Sequence, residues 1–464
     1  MTDDRPNLIV IFPDQLRRDA IGCYGDRNIS TPHMDALASS GVRFNQACST
    51  YPICVPFRFT LMTGHYAHSR RAMGCEFRMS PAERTLADEF NAAGYETIYI
   101  GKWHLHYAHT RVPREHQGRW SKWMGFEVRN KHFDTYYWEN DDPTPHRIDQ
   151  YQTDGLFDMT MDYLREGRDR DKPFCCVLSP EPPHFPYEAP EEYEQRWEGR
   201  ELQLPPSFAR KADRPAPDKA DDPGPDPEEV KQLLRKYYAM VENFDDNVGR
   251  LMRFLDETHL AKNTIVVLLS DHGEMGGAQN IWIHLKSYPY EPSVGIPLMV
   301  RDPRHPGRAG AQVDAVTCTE DLFPTLCGLA GIMPRNDLPG RDLTPLITGE
   351  VESLDREGVM LQFVGDHRPD HPFHNHHWRT FRSDRFKYTV IGDTRTFSRP
   401  WHFFDLHNDP HEVDNLVDLP QWQDQIARHH KLLRERMIQT NDFFCLSPAH
   451  GCAGLNEKVI SEGG

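Results

Sequence analysis

The chain has 464 residues, 38% hydrophobic and 27% charged, with 53 Lys+Arg against 70 Asp+Glu and a formal net charge of −17. This globular composition excludes a disordered, collagenous or coiled-coil protein, and the acidic sign excludes a general nucleic-acid or anionic-membrane binder. One hydrophobic core would be oversized at this length, so a large domain plus a smaller one is expected, and an anionic substrate must be met by a local cationic pocket.

In chain order, the first apolar stretch is Leu8 to Phe12, flanked by Asp3, Asp4, Arg5 and Asp14. It is too short for a secretory h-region of about 7–15 residues or a membrane span of about 20, so the chain reads as soluble, unexported and cytoplasmic. The 10 cysteines are irregularly spaced, with Cys175 and Cys176 adjacent, unlike a disulfide framework. Short β-rich runs occur at Asn7 to Phe12, Tyr95 to Ile100, Phe174 to Ser179, Thr264 to Ser270 and Pro297 to Val300. Being apolar on both alternating faces, they predict strands of a mostly parallel sheet buried under helices.

Helices fall between these strands. Thr31-Pro32 through Ser40-Gly41 has a capping residue, Pro at the first helical position and Gly past the end. Thr85 to Ala93 opens on a capping box, Thr85-x-x-Asp88. From Glu229 to Leu255, apolar residues at Leu234, Tyr238, Val241, Phe244, Val248 and Leu251 recur at helical spacing. The fold class is therefore α/β. The Pro-, Asp- and Lys-rich stretch Leu204 to Asp226 predicts a long surface loop. Composition shifts again near Gly349, with short strands expected over Trp378 to Ile391 and Trp401 to Leu406 and a helix from Trp422 to Ile438. The expected division is 1–350, a small C-terminal α+β subdomain over 351–440, and 441–464 as a frayed tail. The alternative for the tail is an arm packed on a second copy in a homo-oligomer.

Polar residues follow two of the buried strands, where an open α/β sheet binds its ligands. Asp14 and Gln15 follow the first; Asp271, His272, Gly273 and Glu274 follow the Thr264 strand. Oxygen donors of this kind suit a hard cation such as Ca²⁺, Mg²⁺ or Mn²⁺, and His272 favours Mn²⁺. Ordinary turns or helix caps are the plain alternative for each pair alone. In the segment CVPFRFTLMTG, Pro56 suits the first turn of a helix, which places Cys54 at its positive end and Arg58 one turn inside.

Here the sequence resembles the formylglycine-dependent (type I) sulfatases of the alkaline phosphatase superfamily, whose signature is C-x-P-x-R followed by T-G. The resemblance runs nearly the whole chain: NLIVIFPDQ, GYETIYIGKWHL, PPHFPY, NTIVVLLSDHGE, KSYPYEPSVGIPLMV and FDLHNDPHEVDNL stand in family order. Two positions depart from the pattern. Many members have two aspartates where this chain has Asp14-Gln15, and Phe57 is bulkier than the usual residue. The Asp-Gln form also occurs in relatives that cleave phosphonate monoesters and phosphodiesters.

The resemblance implies an alkaline-phosphatase-like fold and hydrolysis of a sulfate monoester to sulfate and an alcohol. It implies that a formylglycine-generating maturation enzyme oxidises Cys54, and that catalysis passes through a covalent sulfated formylglycine. One divalent cation, Ca²⁺ first and Mn²⁺ or Mg²⁺ otherwise, would be held by Asp14, Gln15, Asp271, His272 and the side chain at Cys54. Arg58 would hold the formylglycine hydroxyl and the metal-bound carboxylates, and Lys102 would stabilise the hydrate. His104 would assist collapse of the intermediate, while His184 and Lys286 would face the ester oxygen as acid and sulfate clamp. The substrate would be a small-molecule or carbohydrate sulfate ester. The alternatives are a phosphonate monoester or phosphodiester hydrolase with the same site, and a sulfated-glycan binder whose Cys54 stays a thiol.

Two further groups have two readings each, and a third has one. His367, His371, His374, His376 and His377 read as a polar loop, or as a second metal site or pocket wall. Trp103, Trp120, Trp123, Tyr136, Tyr137 and Trp138 read as core, or as a stacking surface for a sugar or aryl ring. Cys75, Cys175 and Cys176 read as packing residues.

Overall fold

The structure is a computed structural model that describes residues 5–210, 224–335, 337–366, 368, 371, 373–393 and 398–446. Ten strands form one twisted sheet: β1 (Asn7–Ile11), β2 (Val42–Phe44), β3 (Glu96–Lys102), β4 (Lys122–Phe126), β5 (Thr135–Glu139), β6 (His146–Ile148), β7 (Phe174–Ser179), β8 (Thr264–Leu269), β9 (Leu298–Arg301) and β10 (Ala311–Val313). Their order is β10-β2-β9-β8-β1-β7-β3-β4-β5-β6. The centre, β8-β1-β7-β3-β4, is parallel throughout. Every residue of β1, β7 and β8 is buried, as their continuous apolar runs require. The register aligns Ile11 with Leu178 and Leu268, so the ends of these three strands open at one edge.

The helices that cover the sheet include α1 (Pro32–Ser39), α2 (Cys54–Thr63), α3 (Leu86–Ala92), α4 (Gln152–Asp162), α5 (Pro227–Glu257) and α6 (Thr319–Leu329). The capping box of α3 forms as expected. The start of α1 does not form as expected. Thr31 makes no side-chain cap, and the Asp245 carboxylate of α5 instead accepts from His33 N and Met34 N at 3.1 and 2.7 Å. α5 begins at Pro227 behind Asp226, whose side chain accepts from two backbone amides. The expected surface loop Leu204 to Asp226 thus ends at a cap, and its part 211–223 lies outside the described residues.

A second, antiparallel sheet runs β11 (Val359–Phe363), β12 (His376–Arg382), β13 (Phe386–Asp393), β14 (Arg399–Asp405), with α7 (Gln423–Gln439) against it. Strand β11 had no distinct sequence signal. The segment after α7 is not frayed as far as it is described: Asp442 pairs with buried Arg379, and Ser398 N donates to Cys445 O. Residues 447–464 lie outside the described residues.

Trp103, Trp120 and Trp123 are fully buried, and Trp138 is 8% exposed, so these indoles build the core and form no stacking surface. Tyr136 and Tyr137 are only partly buried against that core. Cys175 and Cys176 pack inside β7, while Cys75 is half-buried. No helix among the described residues is long and apolar enough to cross a membrane.

Candidate active site

The four central parallel strands each deliver chemistry at the same edge. Asp14 and Gln15 follow β1, Asp271 and His272 follow β8, Glu181 follows β7, and Lys102 ends β3. Neighbouring parallel strands bring their carboxyl ends together, so residues up to 260 positions apart become neighbours. The approach of β3 to β7 needs Gly101, where an added Cβ would meet Ser179 O at 2.2 Å. Cys54 is the first residue of α2, which points its N-terminus at this edge; all ten residues of that helix are buried, and Gly64 at φ +73° ends it.

The side chains converge as the sequence predicts for the metal and nucleophile positions. Cys54 Sγ lies 3.5 Å from Asp14 Oδ1, 3.3 Å from His272 Nε2 and 3.4 Å from Lys286 Nζ. Ligand atoms of Asp14, Cys54, Asp271 and His272 all fall within 4.8 Å of one another. Gln15 Nε2 donates to Glu274 Oε2 at 2.8 Å, which turns its Oε1 toward Lys286 Nζ at 2.9 Å. Arg58 reaches Asp14 at 3.1 Å and Asp271 at 3.6 Å, and Lys102 Nζ reaches Asp14 at 2.9 Å.

His104 is buried two residues past the end of β3, and His184 lies in the segment after β7; the charges of Lys102, Lys286 and Asp14 act on both imidazoles. His184 is half-buried and its backbone O accepts from His132 Nε2 at 2.8 Å. Gln15, His104 and Ser287 are non-glycine residues with φ of +67°, +55° and +78°. Such strained backbone clusters at functional sites, where surrounding contacts over-determine it.

Charge distribution follows from burial and neighbours. Burial acts to raise the Asp14 carboxyl, but the Lys102, Lys286 and Arg58 charges hold it well below the usual range. Asp271 goes the other way: burial and then the Asp14 charge push it to about 7. Burial, opposed by Lys286 only in part, pushes the Cys54 thiol to about 12, so the encoded side chain is a protonated thiol. His104, His184 and His272 are all pushed well down by burial, then by nearby lysine charge, and are neutral imidazoles. Lys102 is raised because Asp14 and Glu181 overcome the effect of burial.

The donor set fits a divalent cation. Asp271 Oδ2 accepts no hydrogen bond although fully buried, which is costly unless a further positive group sits there. His272 Nδ1 is engaged with Gly273 O at 2.8 Å, which leaves Nε2 as the lone-pair donor facing Cys54 and Asp14. Asp14, Asp271 and Gln15 add oxygen donors, the ligand chemistry of Ca²⁺, Mg²⁺ or Mn²⁺.

Sequence reasoning missed Glu181, which is fully buried, pairs with Lys102 at 3.3 Å and accepts from Arg129 N and Asn130 N. The signal that found Asp14 and Asp271, a carboxylate just past a buried strand, applies equally to Ser179-Pro180-Glu181. It also missed Tyr237 of α5, whose hydroxyl donates to Gln15 O and accepts from Arg17 N, both at 2.9 Å. Among the described residues, His371, His374, His376 and His377 belong to no group placed to hold a metal; His367 lies outside the described residues.

The sulfatase family profile matches residues 6–332, which include every ligand and charged residue of this site. The chain belongs to the sulfatase family. A second profile, N-sulphoglucosamine sulphohydrolase C-terminal, matches residues 281–439. This sulfatase is 30% identical over 446 residues to an ulvan-active sulfatase of Formosa agariphila, covering 95% of this chain and 82% of that protein. A solved structure of a protein with its substrate D-glucosamine-2-N,6-O-disulfate superposes with TM-score 0.83 at 22% identity, over 95% of this chain and 99% of the other. The phosphonate monoester hydrolase of Agrobacterium radiobacter superposes with TM-score 0.74 at 24% identity, over 94% and 96%. The last two show that the fold is shared. By family, this sulfatase is a sulfuric ester hydrolase.

Proposed function

We propose that this sulfatase removes sulfate from a carbohydrate sulfate monoester, with Cys54 matured to formylglycine beside one divalent cation, Ca²⁺ in the first instance. The observation that carries this reading is the convergence of Cys54 Sγ on Asp14, His272 and Lys286 within 3.5 Å. The carbohydrate follows from the ulvan-active relative and the glucosamine disulfate complex.

Asp14, Gln15, Asp271 and His272 are the residues that would hold the cation, which when bound supplies Lewis-acid polarisation of the transferred group. Formylglycine supplies two geminal hydroxyls, one to take the sulfuryl group and one to expel sulfate by C–O cleavage, so no water need attack sulfur. Arg58 and Lys102 keep Asp14 ionised and oriented at that carbon. Lys286 clamps the sulfuryl oxygens, and preorganised charge of this kind is worth about 10²–10³ in rate per donor. His184 is assigned to protonate the leaving alcohol, which requires the negative charge of the bound ester to raise its imidazole out of the neutral state that burial gives it, and neutral His104 takes the proton when sulfate departs.

Cys54 is 2% exposed, so the formylglycine-generating enzyme must act before α2 packs. We assign residues 1–350 as the catalytic part and 351–440 as a small C-terminal part.

The test uses protein purified with its maturation system. Mass analysis of the peptide containing Cys54 is expected to show an aldehyde in place of the thiol; a wholly unmodified, inactive protein overturns the reading and leaves a sulfated-glycan binder. Gln15, a neutral donor where many relatives have a carboxylate, favours phosphonate monoesters as the second reading. Turnover of an aryl phosphonate monoester far above that of sulfated sugars would establish it instead.

A further inference from the structure

Lys286 reaches into the site from a loop that the second sheet holds. The residue after it, Ser287, is 1% exposed and has φ +78°, a left-handed conformation that a side chain-bearing residue adopts only under constraint. The constraint is visible. Trp378 of β12, fully buried, donates its indole N–H to Ser287 O at 2.9 Å. Ser287 Oγ lies 3.3 Å from His371 Nε2, within the histidine-rich stretch. Farther along the loop, Tyr290 OH meets His402 of β14 at 3.3 Å, and Glu291 pairs with Arg382 and Lys387. Lys286 itself touches Gln15 Oε1 and Cys54 Sγ, so its ammonium is placed by a loop whose backbone is fixed from the other sheet.

We propose that Trp378 and His371 are positioning residues for Lys286, acting through the constrained backbone of Ser287. This rests on the clamp role given to Lys286 above. It gives the second sheet a part in catalysis through the loop that carries Lys286. Without the indole N–H, the Ser287 peptide relaxes toward negative φ, and the direction in which residue 286 leaves the backbone changes with it.

The experiment measures kcat/KM for 4-nitrophenyl sulfate, and the inhibition constant of inorganic sulfate, on matured enzyme whose folding is checked by thermal denaturation. Lys286→Ala alone tests the clamp, with an expected loss of about 10²–10³-fold. Trp378→Phe keeps the ring and removes the donor; a loss of about 10-fold is expected, with weaker sulfate inhibition. Placed in the Lys286→Ala background, the same change is expected to cost no further activity. Ser287→Gly, which adopts positive φ without penalty, is expected to restore several-fold of the rate lost in Trp378→Phe. His371→Ala, at a half-buried position, gives the same non-additivity test should Trp378→Phe not fold. Equal losses with and without Lys286, or variants at full activity, overturn the positioning role alone; an unaffected Lys286→Ala overturns the clamp and the positioning role together.

Discussion

Two buried clusters of charge lie at the two ends of the loop 286–291, and they are built differently. At one end Glu291 accepts from Arg18, Arg382 and Lys387 at 3.1–3.3 Å, and Glu412 pairs with the same lysine. Burial opposes ionisation of Glu291, but Lys387, Arg382 and Arg18 hold it far below the usual carboxylate range. Its backbone N–H also donates to Glu412 at 2.6 Å. At the other end, Asp271 Oδ2 finds Arg58 only at 3.6 Å and His272 at 3.7 Å and accepts no hydrogen bond. Each carboxylate of the first cluster has a protein cation within 3.3 Å, whereas Asp271 Oδ2 has none closer than 3.6 Å, and that difference separates a strut from a candidate cation site.

The widest separation between the clusters comes from Cys54→Ala. Turnover is expected to fall by at least about 10⁴-fold, since nucleophile and its activation go together, while the midpoint of thermal unfolding changes little; retention of a tenth of the rate would break the assignment. Chelation comes next. Removing the divalent cation is expected to abolish activity reversibly and to lower the unfolding midpoint by several degrees, because an ion that binds only the folded chain stabilises it by mass action. Calorimetry with and without chelator reads this, and the Glu291 cluster should be indifferent to it.

Lys387→Met attacks the strut instead. Leaving Glu291 and Glu412 buried beside fewer cations is expected to cost about 3–5 kcal/mol of stability, measured by denaturant unfolding. A loss in kcat without loss of stability would reverse the comparison. A separate, pH-dependent effect belongs to a buried carboxylate that forms no ion pair among the described residues. Glu127 is 1% exposed, accepts from His106 N at 3.2 Å, and burial raises its carboxyl to about 8. The folded state therefore holds a proton that the unfolded state loses near 4.5, and stability is expected to fall as pH rises from about 4.5 to about 8. The slope is at most about 1.4 kcal/mol per pH unit, and Glu127→Gln should flatten it.

Local sequence carried much of this. The runs at β1, β7 and β8 were legible because strands buried on both faces must be apolar throughout, and α5 because its apolar stripe repeats every 3.6 residues. The gathering of Asp14, Gln15, Asp271, His272 and Cys54 was legible as a candidate because polar residues past buried strands and a Cys-x-Pro-x-Arg turn are unusual company. Strands β4, β5 and β6 had no separate sequence signal: β4 joins the sheet in parallel, while β5 and β6 extend its margin antiparallel, where no continuous apolar run is needed. The cap of α1 misled for a similar reason: Thr31 sits at the cap position, but Asp245, more than two hundred residues on, fills it.

From the sequence alone came the α/β class, the ends of the central strands, and the residue types that gather a cation and an anion; each depends on neighbours a few positions apart. Only the tertiary structure decided that Glu181 joins Lys102, that nearby cations hold the Asp14 carboxyl down while burial raises that of Asp271, and that the second sheet grips the Lys286 loop. Those outcomes depend on burial and on contacts between distant segments, and neither quantity exists until the chain has closed on itself.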